Sequence, residues 1–254
     1  MQIEEIRAVW DILRRGLKEY GLTDRVDPYA VQNMTSYCQS LLNKNREMNL
    51  TAITDPVDVA NLHMLDCAAL LNCADLDGAK TLIDVGTGAG FPGMALKILL
   101  PSLDVTLLDS LNKRLDWLDE VCAALGLDGM DGVHTVHQRA EEAGHDPALR
   151  ERFDFATARA VADFGVLCEL GLPFVKVGGR FLAMKSVDSE AEIKAAEAAL
   201  RELGGEVETC FDYQIPETDV VHRVVVVKKT ASTPPRYPRR WAKIQKDPLS
   251  GRNR

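Results

Sequence analysis

The residues best able to do chemistry lie in one stretch, Thr81 to Gly93, which reads Thr-Leu-Ile-Asp-Val-Gly-Thr-Gly-Ala-Gly-Phe-Pro-Gly. Gly86, Gly88 and Gly90 alternate behind Asp84. Glycines let a backbone turn tightly and approach a ligand closely. The dinucleotide fingerprint is G-x-G-x-x-G, with a pyrophosphate lying on the helix N-terminus. A carboxylate just before the loop, at Asp84, repels a pyrophosphate and suits a cationic cofactor. The sulfonium and ammonium of S-adenosylmethionine meet that requirement. Asp109 follows Gly86 by 23 residues, close to the interval at which an acidic residue on the neighbouring strand reaches ribose hydroxyls. The alternatives are a tight turn without a ligand and, for Asp109, a charge that serves only the next helix N-terminus.

Other reactive side chains are less concentrated. His63 and Asp66 stand three apart in a helical pattern, where they can touch as a catalytic pair or as a structural one. Arg159 emerges at the carboxyl end of an apolar strand, suited to a cofactor carboxylate, a phosphate or an ordinary ion pair. His134 and His137 have odd spacing on one strand and so point to opposite faces, which argues against a metal site that would include His145. The six cysteines are scattered without a C-x-x-C pair, the pattern of reduced core thiols. No Cys/His or Ser/His/Asp arrangement suggests a covalent mechanism.

The elements that must position these groups follow from the hydrophobic pattern. Helical spacing covers Ile3 to Leu13, Tyr29 to Leu42 and Val57 to Leu71, with a polar loop at Asn49 to Pro56. Leu82, Ile83 and Val85 read as a buried strand that runs into the glycine loop, and Pro92 opens a helix over Met94 to Leu100. Strands are expected over Asp104 to Leu108, Val133 to His137, Phe153 to Ala158 and Arg180 to Met184, with helices at Leu111 to Leu125 and Asp188 to Leu203. In the last helix, Glu190 with Lys194 and Glu197 with Arg201 suggest a solvated face. Glu206 to Ile215 and Val221 to Val227 read as a closing antiparallel pair. The loop after Val133 to His137 lies at the carboxyl edge of the sheet, where backbone groups of Ala140 and Glu141 can read an adenine.

Charge is unevenly distributed. The net value is −8 over 254 residues, yet Lys228 to Arg254 holds nine Lys and Arg against Asp247 alone. A basic, proline-rich tail interleaved with Tyr237 and Trp241 suggests contact with a polyanion such as RNA. A disordered solubilising tail is the alternative. No apolar run approaches the ~18 residues of a membrane span, and the start lacks the features of a signal peptide. A cytoplasmic location is expected.

Five pieces in order carry a family resemblance: Asn49-Leu50-Thr51, His63 to Asp66, Asp84 to Gly93, Leu107 to Arg114 and Ala158-Arg159-Ala160. Together they resemble the bacterial 16S rRNA guanine-N7 methyltransferases of the RsmG (GidB) type. A sixth piece, Arg236 to Arg240 with Lys246 to Leu249, is similar to the basic tail of many members. Two positions depart from the family pattern: Leu62 stands where Arg or Lys usually precedes the histidine, and Cys67 replaces a serine.

The resemblance implies S-adenosylmethionine-dependent methylation of N7 of one guanine in small-subunit rRNA, on the ribosome or during its assembly. It puts cofactor contacts at Gly86, Phe91, Ala140, Glu141 and Arg159, with Asp109 and Ser110 at the ribose. The full set of expected cofactor residues adds Asp84, Gly88 and Gly90. Lys185, Arg236, Arg239, Arg240, Lys243 and Lys246 are expected at RNA phosphates. No catalytic base and no metal are expected, the partner is 16S rRNA or the small subunit rather than a membrane, and the chain is expected to be a monomer. The expected fold is α/β, a class I methyltransferase with a Rossmann-like, doubly wound seven-stranded sheet. Residues 1–74 would form a small N-terminal helical extension, 75–229 the cofactor-binding domain and 230–254 the basic tail. A methyltransferase with another RNA or non-RNA acceptor, a non-catalytic RNA-binding protein of this fold and an NAD-dependent oxidoreductase are the competing readings.

Overall fold

The computed structural model describes residues 1–78, 80–127, 132–159 and 162–249. Ala160 and residues 250–254, which were expected to extend the Arg159 motif and the basic tail, lie outside the described residues.

Seven strands form one sheet: β1 (Thr81–Val85), β2 (Asp104–Asp109), β3 (Val133–His137), β4 (Phe153–Arg159), β5 (Val175–Ser186), β6 (Gly205–Gln214) and β7 (Val221–Lys229). Their spatial order is β3-β2-β1-β4-β5-β7-β6. The first five run parallel to their neighbours, and β7 pairs antiparallel with both β5 and β6. β1 lies between β2 and β4, so the chain reverses its winding there and leaves a crevice beyond the carboxyl ends of those strands. The glycine loop leaves β1 at that crevice.

The central strands β1, β2, β4 and β7 are buried on both faces, which explains their nearly continuous apolar runs, whereas the edge strands β3 and β6 are more exposed. Leu82, Leu107, Phe155, Leu182 and Val226 face one core, shared with the N-terminal helices Ile3–Glu19 and Ala30–Met48. Ile83, Leu108, Ala156, Phe181 and Val227 face the other, shared with the helix Phe164–Gly171 and with Tyr237, Ile244 and Leu249 of the tail. The alternation is the period of two expected of strands. Among the described residues no helix is long and apolar enough to cross a membrane.

Two expected helices are less regular than their patterns. The segment 56–73 contains a π-turn at Ala60–Leu65 between short α-helical pieces. An extra residue in a helical turn re-aims the side chains around it and is common at functional sites. The expected helix over Asp188 to Leu203 begins as a 3-10 turn and divides at Ala196 into Glu190–Ala195 and Glu197–Leu203. Glu190 pairs with Arg223 of β7 at 2.8 Å, so its charge serves the sheet edge.

The tail is a packed element. Arg150 donates to the carbonyl oxygens of Thr233 at 2.7 Å and Tyr237 at 2.8 Å, and His145 Nε2 lies 2.7 Å from the Pro238 carbonyl. Lys229, counted among the basic residues of the tail, is fully buried, donating to the Leu172 carbonyl at 2.7 Å. Burial pushes its pKa down to about 8.

Candidate active site

The glycine loop is held to the sheet at both ends. Gly86 and Thr87 donate backbone hydrogen bonds to the Leu108 carbonyl at 2.8 and 3.0 Å. Asp84 is fully buried, and its Oδ2 accepts from Thr87 Oγ1 at 2.6 Å and from the Gly93 amide at 2.9 Å. Burial pushes the pKa of this carboxyl up to about 6, against the pull of those two donors. The sequence suggested that Asp84 faces a cationic cofactor. Instead it braces the loop from behind, and it is not among the residues lining the adjacent cavity. Gly90 has φ +83°, and a Cβ there would lie 2.3 Å from the Tyr37 hydroxyl. Only glycine satisfies both constraints.

A cavity of about 370 Å³ opens beyond the loop, within the range of small-molecule sites. It brings together Gly86, Asp109, Ser110, Ala140, Glu141 and Arg159 of the expected cofactor set. Asp109 is 5% exposed and preset for a hydroxyl-bearing ligand: its Oδ1 accepts from the Leu111 amide and its Oδ2 from the Gly88 amide, each at 2.9 Å. Oδ2 also meets Arg114 Nη1 at 3.4 Å, so it is Oδ1, with the Leu111 amide as its one donor, that retains the clearer acceptor capacity for a hydroxyl. Gly88 therefore acts by orienting Asp109. Gly90 and Phe91, like Asp84, are not among the residues that line it. Gln138, Arg139, Leu170 and Trp241, with Leu108 and Arg114, line the cavity without having been expected there. The first two adjoin Ala140 and were within reach of the argument from sheet topology, whereas no local pattern signals Leu170 or Trp241.

A second cavity, about 460 Å³, adjoins the first through Arg159, which lines both. Its wall includes Leu62, His63, Asp66, Lys185 and His222. Arg159 Nη1 donates to Asp66 Oδ2 and to the Leu62 carbonyl, each at 3.2 Å, while Nη2 lies 3.0 Å from His63 Nδ1. The guanidinium also lies 5.0 Å from the centre of the Phe91 ring. Asp66 Oδ1 accepts from Tyr213 Oη at 2.7 Å and from His222 Nδ1 at 2.8 Å. The three-residue spacing of His63 and Asp66 allowed a direct contact. They meet through Arg159 instead.

The charges in this network are settled by burial and pairing. Burial, reinforced by Arg159, lowers the His63 pKa to about 4, so the ring is neutral at physiological pH. Arg159 has no acceptor atom and must donate to Nδ1, which leaves the proton of His63 on Nε2, 2.8 Å from Thr51 Oγ1. Thr51 is held in turn by paired hydrogen bonds with Asn45 at 2.9 Å, and Asn49 ends the helix Ala30–Met48 in the left-handed conformation. This accounts physically for the Asn49-Leu50-Thr51 piece. Burial works against ionisation of Asp66, but the hydrogen bond from His222 and the charge of Arg159 hold its pKa below the ordinary value. The same hydrogen bond raises the pKa of His222. Arg159 is thus fixed by Asp66, His63 and the Leu62 carbonyl at the wall of both cavities.

The expected RNA-contacting residues divide into two groups. Arg240, Lys243 and Lys246 are exposed on one side of the short helix Trp241–Lys246, and Arg236 is exposed beside Glu202 at 2.9 Å. Lys185 pairs with Glu192 at 2.8 Å on the wall of the second cavity. Arg239 does not fit the expectation. Its guanidinium is buried against Glu169, with contacts of 2.7 and 2.8 Å, and its backbone amide donates to the same carboxylate. A buried arginine must be paired, and this one is held by Glu169 inside the protein. His134, His137 and His145 pair separately with Asp104, the Ser110 carbonyl and the Pro238 carbonyl. Among the described residues no cluster of three His, Cys, Asp or Glu could hold a metal ion.

The family model described as "GidB: rRNA small subunit methyltransferase G" matches residues 30–220. A protein named Ribosomal RNA small subunit methyltransferase G from Symbiobacterium thermophilum is 45% identical over 240 residues, 92% of this chain and 98% of that one. One of the same name from Thermoanaerobacter sp. is 42% identical over 239 residues, 94% of this chain and 98% of the relative. Among solved structures, an O-methyltransferase from Bacillus cereus in complex with SAH superposes with a TM-score of 0.54 at 19% identity, covering 76% of this chain and 91% of that chain. At that identity the likeness concerns the fold.

Proposed function

Because this chain belongs to the GidB family, the rRNA small subunit methyltransferases G, we infer that it is an S-adenosylmethionine-dependent methyltransferase acting on N7 of one guanine in 16S rRNA. The observation that carries the reading is the sharing of Arg159 by two adjoining cavities, one furnished for an adenosyl group and the other open to an acceptor base.

The residues fit the cofactor. Asp109 and Ser110 are assigned to the ribose, Ala140 and Glu141 to the adenine, and Gly86 with Arg159 to the methionine end; Asp84, Gly88, Gly90 and Phe91 keep the loop and Arg159 in place. When bound, S-adenosylmethionine supplies an electrophilic methyl group, and the positive charge it loses passes to the methylated base. Guanine N7 carries a lone pair and no proton at neutral pH, so the chain has no proton to remove. Its task is alignment, which can supply roughly 7–11 kcal/mol of barrier lowering. Arg159 does this at the joint. Its guanidinium is fastened by Asp66, His63 and the Leu62 carbonyl, so it holds one position while acceptor and cofactor change.

The second cavity is assigned to the acceptor guanine, with Lys185 at its edge. Arg236, Arg240, Lys243 and Lys246 are assigned to flanking phosphates. The reading includes action as a monomer in the cytoplasm without a metal ion, residues 1–74 as a helical extension and 75–229 as the cofactor-binding domain. A methyltransferase with a different acceptor is the second reading, since the cofactor cavity is the same for both.

The test is transfer of labelled methyl groups to small subunits, and to naked 16S rRNA, from cells lacking the protein, followed by mapping. Label on N7 of a single guanine is expected. Cofactor binding without transfer to either substrate would refute the acceptor.

A further inference from the structure

The tail was read from its sequence as an arm for RNA, yet Trp241 lines the same cavity as Asp109, Ala140 and Glu141. We propose that Trp241 is a cofactor-binding residue whose indole packs on the adenine ring, so that the C-terminal segment completes the cofactor site. The inference rests on the S-adenosylmethionine reading above and is independent of which acceptor is methylated.

The segment is fastened to the two elements that supply that part of the wall. One is the short helix Ala140–Ala143, which begins with the wall residues Ala140 and Glu141 and ends at Gly144. The tail presses against that end: a Cβ on Gly144 would lie 2.7 Å from Pro238. The other is the helix Phe164–Gly171, which sends Leu170 to the cavity wall and Glu169 to Arg239. The Arg239 and Glu169 side chains are 7% and 1% exposed, so this anchor is shielded from solvent. Arg150 adds donors to the carbonyl oxygens of Thr233 and Tyr237.

These anchors make Trp241 a fixed wall. Ile244, three residues on, is fully buried in the same core as Tyr237 and Leu249, and Trp241 packs partly buried against that core. The side chains of Arg240, Lys243 and Lys246 remain exposed. A half-buried indole facing a ligand-sized cavity offers a flat apolar surface at low entropic cost, suited to the π-face of a purine. Ala140 packs against the same core, and Glu141 joins it on the wall. The same short helix thus presents an aromatic wall to the cofactor and basic side chains to solvent.

The experiment is calorimetric titration of S-adenosylhomocysteine, and separately adenosine, into the full chain. Trp241→Ala is expected to weaken both ligands by the same factor, roughly tenfold, since stacking acts on the base they share. Trp241→Phe keeps an aromatic face and is expected to stay within about threefold of the parent protein. Unchanged affinity in Trp241→Ala, or a loss that Trp241→Phe does not restore, overturns the proposal. A parent protein that binds S-adenosylhomocysteine with this pattern but methylates no rRNA refutes the proposed acceptor and leaves the role of Trp241 intact.

Discussion

The guanidinium of Arg159 sits 5.0 Å from the centre of the Phe91 ring, joining the end of β4 to the glycine loop that leaves β1. The His63 ring stacks on the same phenyl group at 4.7 Å. A cation over a ring face is attracted by its quadrupole. Arg159 also reaches His63 of the π-turn at 3.0 Å, so the loop, the π-turn and β4 share one side chain.

Arg159→Lys keeps the charge and loses the fork that reaches Asp66, the Leu62 carbonyl and His63 together. We expect methyl transfer to fall by about 10²–10³ in kcat/KM, the loss of a preorganised donor, with the fold retained by circular dichroism. Arg159→Ala removes the guanidinium from Asp66, 1% exposed, whose remaining partners His222 and Tyr213 both lie on Oδ1. Urea titration is expected to register a loss of roughly 1.5–3 kcal/mol, since Asp66 keeps those two donors. Near-parental transfer by Arg159→Lys would remove Arg159 from the positioning role.

Gly90 and Gly126 both have positive φ, but only Gly90 is enclosed. Alanine at Gly126 meets no neighbouring atom within 4 Å and pays only for the left-handed backbone, roughly 1–2 kcal/mol. Alanine at Gly90 also collides with Tyr37, which is fully buried and donates to the Ala89 carbonyl at 2.7 Å. Overpacking adds roughly 1–3 kcal/mol, and displacement of the loop is expected to abolish S-adenosylhomocysteine binding. Equal stability of the two variants would show that the loop accommodates a side chain.

His63 makes stability depend on pH in a stated direction. Its pKa falls from 6.5 to about 4 on folding, so between those values the unfolded chain binds more protons and stability is lost as pH drops. Complete loss is on the order of 3 kcal/mol. Asp84 works in the opposite sense: its pKa rises from 3.8 to about 6, so between those values stability is lost as pH rises. The two slopes offset in the parent protein, and His63→Gln is expected to unmask the second. Thermal melts from pH 4 to pH 7 check this, because the advantage of the parent over His63→Gln should shrink steadily below pH 6.5. A constant difference across that range would refute the assignment.

The legible parts of the protein were those governed by local pattern. β1, β2 and β4 are largely apolar runs between turn residues, and the alternating glycines sit directly after β1. These features, with the interval to Asp109, were enough to point to Gly86, Asp109 and Ser110 on the wall of the first cavity. Long-range pairing was not legible. Asp66 meets Tyr213 and His222 only because β6 and β7 align those two residues opposite each other, and that register follows from packing. Asp84 looked like a ligand for a cation because sequence reports proximity to the loop and leaves the direction of the side chain open. The tail misled for a related reason: charge composition counts Lys229 and Arg239 with the exposed cations, although both are buried.

That division of the tail yields opposite expectations for neighbouring arginines. Arg240, Lys243 and Lys246 are exposed, and replacing all three by Ala is expected to weaken RNA binding. For single-stranded contacts each phosphate contributes about 0.7 to the salt dependence, so the slope of log K against log salt should fall by about 2 if each side chain meets one phosphate. S-adenosylhomocysteine affinity is expected to remain at the parent value, since none of these side chains lines the first cavity. Arg239→Ala is expected to do the reverse. It strips Glu169, 1% exposed, of its partner, costs roughly 3–5 kcal/mol of stability and weakens S-adenosylhomocysteine binding by loosening Trp241, while leaving the salt slope for RNA unchanged. Fluorescence anisotropy with a labelled 16S rRNA fragment at several salt concentrations, beside calorimetry with S-adenosylhomocysteine, separates the two. A flattened salt slope in Arg239→Ala with normal cofactor affinity would return Arg239 to the RNA surface and require the tail to undock when RNA binds.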